Sequence, residues 1–476
     1  MGKPRVAEQW RLRNDGRNIL AYRSSVLGHS FITLSPFEAC VLPMLDGTAT
    51  LDEIAAVLTN AFEEAGLDGL DHLREHLETA LERFVCIPGL IAFAGPVSPS
   101  LRGSREGLVP DLRSYEYPVR RLACPISLQV AYTNRCAAEC LYCYAQRLHV
   151  EEAQAKDWVQ LMDQARQLQI FLVDIAGGDI FAREDALCLL EAMVARDFGF
   201  FVSTKSLLTA GEARRLARLH IGTTDVPPYL QRRVQVSVDS ADPAVASKLT
   251  GVPGYLDRAA ATVEHLLAAG IMPRVKGVLT SMNIDGVADV VGMFSKLGVQ
   301  DFDFVLYTRS HYRHEDALFP DSRQKADWEK EAARIVAENS SLNITVQTVR
   351  ASEEAAARIC ENWETRAVCS GGRSNLIIQP NGDVTLCDQV PHAPPFIVGN
   401  VFEQGILGVW NSDELTAFLY PPREKFQGSV CCDCDIFDEC ISGKGYCYRD
   451  ALFYFGSIYD APPECSRQTK VPLRKL

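Results

Sequence analysis

Apolar residues recur every third and fourth position in 35-SPFEACVLPMLDG-47, 50-TLDEIAAVLTNAFEEA-65 and 70-LDHLREHLETALERF-84, the spacing of a helix with one buried face. Ser35 as N-cap, Pro36 at the first helical position and Gly47 as a stop bound the first helix. Thr50 and Glu53 make a capping box for the second. Ahead of them, 18-NILAYRSSVLGHSFITL-34 reads as two strands around a turn containing Gly28. A hairpin and three helices predict a winged-helix-like domain over residues 1–94. The acidic second and third helices disfavour DNA binding for it. Residues 95–123, rich in Gly, Pro, Ser and Arg without sustained periodicity, read as a linker.

From 124 to 345 the pattern alternates between short apolar runs and amphipathic stretches. The runs are 126-ISLQVAYT-133, 170-IFLVDIA-176, 198-FGFFVST-204, 233-RVQVSVD-239, 273-PRVKGVLT-280 and 302-FDFVLYT-308. Segments such as 257-DRAAATVEHLLAAG-270 and 285-DGVADVVGMFSKLG-298 separate them. Six such units predict an α/β parallel sheet, either a partial barrel or doubly wound, with chemistry at the C-terminal strand ends. Residues 346–476 have short strands, many turns and dense cysteine. There 374-SNLIIQPNGDVTLC-387 predicts a hairpin turning at Asn381-Gly382.

At 476 residues, 47% hydrophobic and 23% charged, the chain can bury several cores. No apolar run reaches membrane-spanning length, and MGKPRVAEQWRLRND lacks a signal-peptide core, so no membrane association and a cytoplasmic location are expected. A formal charge of −13 argues against a nucleic-acid partner. Sixteen cysteines change the picture, because in a reducing compartment they are metal ligands before they are disulfides. Three fall within 136–143 and nine run from Cys360 to Cys465. Cys40, Cys86, Cys124 and Cys188 stand among apolar residues and are expected as core fillers.

Cys136, Cys140 and Cys143, in 131-AYTNRCAAECLYCYAQ-146, leave one ligand position of a four-ligand centre open. An open zinc site would need a nearby base, and His149 is the only local histidine. On a [4Fe–4S] cluster, the open iron could hold a small chelating molecule. The C-x3-C-x2-C spacing, with Tyr142 before the last cysteine, resembles the signature of the radical S-adenosylmethionine (SAM) enzymes. The resemblance implies a partial (β/α)6 barrel over 124–345 and SAM bound to the unique iron. Cleavage of SAM there would give a 5′-deoxyadenosyl radical. It also implies SAM contacts from Gly177, Gly178 and Asp179 after the second strand, Ser237 and Asp239 after the fourth, and Asn283 after the fifth. Asp179 stands where the family has a glutamate, so backbone groups are expected to carry more of that contact. Thr250, in 248-KLTGVPGY-255, replaces an arginine that often meets the SAM carboxylate, with Lys248 or Lys205 as substitutes.

Cys369-x12-Gly382-x4-Cys387, then Cys431-x2-Cys434-x5-Cys440, Cys447 and Cys465, is similar to the SPASM extension of that family, with a six-residue insertion before Cys447. Carried over by position, one auxiliary [4Fe–4S] cluster takes Cys369, Cys387, Cys447 and Cys360, unless a substrate group replaces Cys360. The second takes Cys431, Cys434, Cys440 and Cys465, with Cys432 able to replace its neighbour. Three [4Fe–4S] clusters result; a pair of zinc ribbons is the competing reading. Asp388 follows Cys387 where sulfatase-maturing relatives have an aspartate proposed to take a proton; a hairpin-end aspartate bonding backbone is the alternative.

The hairpin and 45-LDGTATLDEI-54 resemble the peptide-recognition domain of peptide maturases, akin to the small chaperone of the pyrroloquinoline quinone pathway. Such a domain clamps a peptide as an added strand. Together these resemblances imply a radical SAM/SPASM maturase of a ribosomally made peptide or small protein, served by a flavodoxin- or ferredoxin-type electron donor. A thioether is the first expectation for the bond installed and a carbon–carbon link the second. Sulfatase-type or quinohaem-enzyme protein maturation, a small-molecule substrate, and a zinc-bound regulator are the rivals.

Overall fold

The amphipathic N-terminal segments close around one apolar core. The computed structural model describes residues 3–25, 28–64, 66, 72–102, 106–222, 232–310, 312–348, 369–443 and 445–470. Strands β1 (Arg5–Val6), β2 (Arg11–Asn14), β3 (Ile19–Ser25) and β4 (Gly28–Thr33) lead into helices α1 (Pro36–Val41), α2 (Leu51–Glu64) and α3 (Leu73–Cys86), followed by β5 (Ile91–Ala92). β2, β3 and β4 form an antiparallel sheet, and β1 pairs with β5. The Ser35 hydroxyl accepts from the Glu38 amide while the Glu38 carboxylate accepts from the Ser35 amide, and Thr50 with Glu53 repeats the device. Ile19, Leu34, Ile54, Leu77 and Phe84 are buried together. Gly28 pairs with Ser25 and so opens β4 rather than sitting in the turn. β2 was illegible as a strand because RLRN shows no apolar alternation; its arginines are buried by docking, described below.

The described residues of 95–123, expected as a linker, are largely exposed but are fastened at several points. The Ser98 hydroxyl donates to the Trp10 carbonyl (2.6 Å), and Leu101 joins the N-terminal core. The Glu116 amide donates to the Arg17 carbonyl (2.7 Å), and the Leu122 amide to the Arg373 carbonyl (2.9 Å).

Strands β6 (Ser127–Val130), β7 (Leu172–Ile175), β8 (Gly199–Thr204), β9 (Arg232–Ser237), β10 (Arg274–Leu279), β11 (Asp301–Leu306) and β12 (Asn343–Val346) are parallel and lie side by side in chain order. Helices α4 (Ala155–Gln167), α5 (Ala186–Val194), α6 (Ala210–Ala217), α7 (Pro243–Thr250), α8 (Tyr255–Ala268), α9 (Val287–Leu297) and α10 (Ser322–Glu338) connect them. A doubly wound sheet reverses strand order at a switch point. This sheet does not, so the partial barrel is the outcome. The seventh strand, β12, has alternate residues exposed and lacks the apolar run that marked the other six.

Beyond β6 the sheet continues into the C-terminal domain. β13 (Asn375–Ile378) pairs parallel with β6 and antiparallel with β14 (Val384–Thr385), closing the expected hairpin. Gly382 has φ +88°, and a Cβ there would lie 2.2 Å from the Phe402 ring. Helices α11 (Val401–Trp410), α12 (Asp413–Leu419), α13 (Phe437–Ser442) and α14 (Tyr448–Phe455) follow.

The N-terminal domain docks on the floor of the barrel, where the strands start. Arg13 donates to the carbonyls of Cys124 (2.9 Å), Pro125 (3.1 Å) and Leu168 (3.3 Å), and the Tyr22 hydroxyl donates to the Gln169 carbonyl (2.8 Å). Among the described residues no helix is long and apolar enough to cross a membrane.

Candidate functional site

Past β6 the chain leaves the sheet and carries the three cysteines in a loop held by its own backbone. The amides of Glu139 and Leu141 donate to the carbonyls of Thr250 (2.8 Å) and Leu249 (3.0 Å) at the end of α7. The Arg147 guanidinium donates to the carbonyls of Asn134 (2.6 Å) and Ala138 (2.8 Å), and that of Arg313 to Glu139 (2.8 Å) and Cys140 (3.2 Å). Cys136, Cys140 and Cys143 line a cavity of about 550 Å³ at the C-terminal ends of the strands. Burial pushes the Cys140 thiol up to about 11, against the opposing charge of Lys205, and raises Cys143 as well. One buried and two half-buried thiols, flanked by two guanidinium groups and open to a cavity, suit a soft, thiolate-binding iron centre, which deprotonates its ligands.

The turn after β7 packs directly on this loop. Its amides at Ala176, Gly178 and Asp179 donate to the carbonyls of Val130 (2.9 Å), Thr133 (2.9 Å) and Arg135 (2.8 Å). A Cβ on Gly178 would stand 2.2 Å from the Arg135 carbonyl oxygen, and Gly177 adopts φ +86°. Gly178→Ala is therefore expected to destabilise the barrel by about 1–3 kcal/mol and lower its thermal midpoint; an unchanged midpoint would contradict the close approach. The Asp179 carboxylate is engaged within the protein. It accepts from the Thr204 hydroxyl (2.7 Å), the amides of Lys205 (2.8 Å) and Ser206 (2.9 Å), and the Ser206 hydroxyl (2.9 Å). It brackets the ends of β7 and β8 where residues 176–179 line the cavity.

Across the cavity, Tyr142 donates its hydroxyl to Asp239, and Lys205 Nζ reaches Tyr142 (3.1 Å) and Asp239 (3.2 Å). The Val278 amide holds the other Asp239 oxygen (3.0 Å). Burial alone would lower the Lys205 pKa. Asp239, Cys140 and two tyrosines outweigh it and hold the ammonium well above its ordinary value. Lys205, not Lys248, lines the cavity, and the Thr250 hydroxyl donates back to Ala246 in its own helix (2.7 Å). Ser237 also faces the cavity. Asn283 is buried behind it: its amide donates to the carbonyls of Asp239 (2.6 Å) and Val278 (2.8 Å), and its oxygen accepts from the Thr280 amide (2.6 Å). It braces two strand ends.

The C-terminal domain supplies the remaining wall. Gln389 lines the cavity, and Asp388 lies in an adjoining cleft, where Gln129 Nε2 donates to its carboxylate (3.0 Å). Burial raises the Asp388 pKa above its ordinary value, and the Gln129 bond opposes it. Asp174, inside β7, also faces the cavity, and burial lifts its carboxyl to about 6. Sequence reasoning passed over it; the signal was a lone acid within the apolar run IFLVDIA.

Two further sets of thiols lie within electrostatic reach of a shared neighbour: Cys387, Cys369 and Cys447 add to the burial that raises the Tyr448 phenol, and Cys465, Cys440 and Cys434 to the burial that raises Cys431. Burial pushes Cys387 up to about 12 and Cys431 to about 11. Cys360 lies outside the described residues. Of the expected core fillers Cys124 is buried, but Cys86 and Cys188 are exposed, because they sit at the end of α3 and on the outer face of α5.

Comparison with known proteins places this geometry. Residues 130–296 match the radical SAM superfamily, and residues 369–435 match the SPASM iron–sulfur cluster-binding domain. The mycofactocin maturase MftC of Mycolicibacterium smegmatis is 27% identical over 368 residues, covering 75% of this chain and 86% of MftC. The PqqA peptide cyclase of Methylobacterium sp. is 24% identical over 366 residues, covering 72% and 87%. The crystal structure of Streptococcus suis SuiB bound to precursor peptide SuiA superposes with a TM-score of 0.65 at 19% identity, covering 97% of this chain and 99% of SuiB. With both domains matched and the fold shared along nearly the whole chain, the protein is a SAM-dependent, iron–sulfur radical SAM enzyme carrying a SPASM domain.

Proposed function

We propose that this enzyme matures a ribosomally made peptide or small protein, installing a cross-link, with a thioether as the first choice of bond and a carbon–carbon link as the second. The observation that carries the reading is the nearly end-to-end likeness to SuiB, N-terminal domain included, in a structure that holds a precursor peptide. Two relatives named as a maturase and a peptide cyclase support it. In this reading Cys136, Cys140 and Cys143 hold the SAM-binding [4Fe–4S] cluster. Cys369, Cys387 and Cys447, with Cys360, hold one auxiliary cluster, and Cys431, Cys434, Cys440 and Cys465 the other. SAM on such a cluster supplies hydrogen-atom abstraction from an unactivated carbon, and the auxiliary clusters accept an electron.

The chain's own groups do the rest. Backbone at Gly177 and Gly178, with Ser237, Asp239 and the ammonium of Lys205, lines the space for SAM; Tyr142 and Asn283 keep Asp239 in place. Joining a carbon to a thiol sulfur releases one hydrogen atom, one electron and one proton, and Asp388 takes the proton. A flavodoxin- or ferredoxin-type protein in the cytoplasm provides the priming electron, and the N-terminal domain holds the peptide.

The test is to incubate the anaerobically loaded full chain with SAM, a reductant and peptides captured from its source. A peptide that loses the mass of two hydrogens supports the reading; SAM cleavage with every peptide mass unchanged would overturn it. Asp388→Asn is expected to slow cross-linking by about 10²–10⁴-fold while SAM cleavage persists. The acceptor must be ionised, so the wild-type rate rises with pH through a midpoint above the ordinary aspartate value, and the variant lacks that limb. A pH profile of product formation checks it.

A further inference from the structure

Among the described residues, every charged side chain on the wall of the 550 Å³ cavity has a partner except Asp174. Asp179 accepts from four donors, and Asp239 pairs with Lys205 (3.2 Å). Lys276 pairs with Asp303 (3.1 Å) and Arg309 with Asp316 (2.6 Å), while Arg147 donates to backbone carbonyls. The half-buried Asp174 carboxylate has neither a hydrogen bond nor an ion pair with a described residue, and no cation offsets the burial that raises it. A second open acceptor stands on the same wall. Gln235, on β9, is 5% exposed; its Nε2 donates to the Ser203 hydroxyl (2.9 Å), and its Oε1 is buried without a partner among the described residues. Buried polar groups are almost always paired, and a carboxylate taken partly out of water favours a cation beside it. Two unmet acceptors on one cavity wall therefore point to donors that arrive with a ligand.

Position says which ligand. Asp174 stands three residues before Gly177, in register with Gln129 of β6 and Phe201 of β8. Gln129 holds Asp388, the proposed proton acceptor, so Asp174 belongs to the end of the cavity where the substrate reacts. Phe201 and Val305 line the same cavity and offer apolar cover for a methylene stem that ends in a charged head.

We propose that Asp174 is a specificity-determining residue that receives the ammonium or guanidinium of a lysine or arginine side chain of the substrate peptide, close to the residue that is modified, while Gln235 Oε1 accepts a further N–H of the same peptide. The inference rests on the peptide-maturase reading above. It adds a requirement on the substrate: a basic residue beside the modification site.

The experiment uses the full chain, loaded anaerobically, with SAM, a reductant and peptides captured from its source. Mass spectrometry locates the modified residue, and the peptide is then synthesised with each lysine or arginine replaced in turn by norleucine. One replacement near the modified position should raise KM about 10–100-fold with kcat changed far less. Asp174→Asn should raise KM for the natural peptide by a similar factor and cost nothing further with that norleucine peptide. A modified peptide with no basic residue in that stretch overturns the inference, as does a KM unmoved by every norleucine replacement. Those two outcomes are read on the wild-type enzyme and hold even if Asp174→Asn fails to fold. Additive losses in the variant and the peptide also overturn it. Weakened SAM binding in Asp174→Asn does so too, because the carboxylate would then serve the ammonium of SAM. If SAM is cleaved and no peptide changes mass, the maturase reading itself fails, and the inference with it.

Discussion

With Cys136, Cys140 and Cys143 all replaced by alanine, the chain should retain about two thirds of its wild-type iron and cleave no SAM. The three thiols share one short loop, and that loop is fastened from outside by α7, Arg147 and Arg313 through backbone carbonyls and amides rather than through the thiols themselves. Removing the sulfurs therefore leaves the loop's supports in place. The other two thiol groups lie in the C-terminal domain and keep their own donors. Iron analysis and SAM turnover measured on the same sample separate the possibilities. Retained SAM cleavage would sink the assignment of the triplet. Loss of all iron would mean that the proposed centres do not load independently.

Arg13→Met should loosen the joint between the N-terminal domain and the barrel by about 3–5 kcal/mol. Arg13 and Asp15 form an ion pair at 2.8 Å with side chains only 5% and 1% exposed. Asp15 also accepts from the Ala123 amide. Removing the cation strands a buried carboxylate and leaves the carbonyls of Cys124, Pro125 and Leu168 without their donor. Apolar packing of Leu20, Tyr22, Leu122 and Ile126 would remain. Local opening then becomes easier, and amide hydrogens of β2 and β3 should exchange about 10²–10⁴-fold faster while β8 and β9 are unaffected. Adding Asp15→Asn should recover part of the loss by removing the unpaired charge. Exchange rates unchanged in Arg13→Met would show that the apolar patch alone holds the joint.

Six of the barrel strands were legible because each is a short apolar run, and the cysteine triplet was legible because its spacing is local. β2 and β12 were not, since a strand whose burial or edge position comes from a neighbouring element carries no alternation of its own. Asp179 shows the same limit at the site. Its place after the Gly-Gly turn was legible, whereas the four donors to its carboxylate come from residues 204–206, a strand away in the fold. Asn283 likewise braces strand ends instead of facing the cavity. Lys205 was one of two candidates, and only the curl of the sheet brings it, rather than Lys248, to the cavity wall beside Asp239.

Sequence alone determined the elements and the chemistry that depend on near neighbours along the chain: capped helices, apolar strands, a three-cysteine loop and a Gly-Gly turn after the second strand. Tertiary structure decided what depends on residues far apart in sequence. It chose the barrel over the doubly wound sheet, joined the C-terminal hairpin to β6, and set the N-terminal domain on the barrel floor. The physical reason is that helix periodicity, capping and ligand spacing are short-range, whereas burial of a charge or a hydroxyl depends on which distant surface covers it.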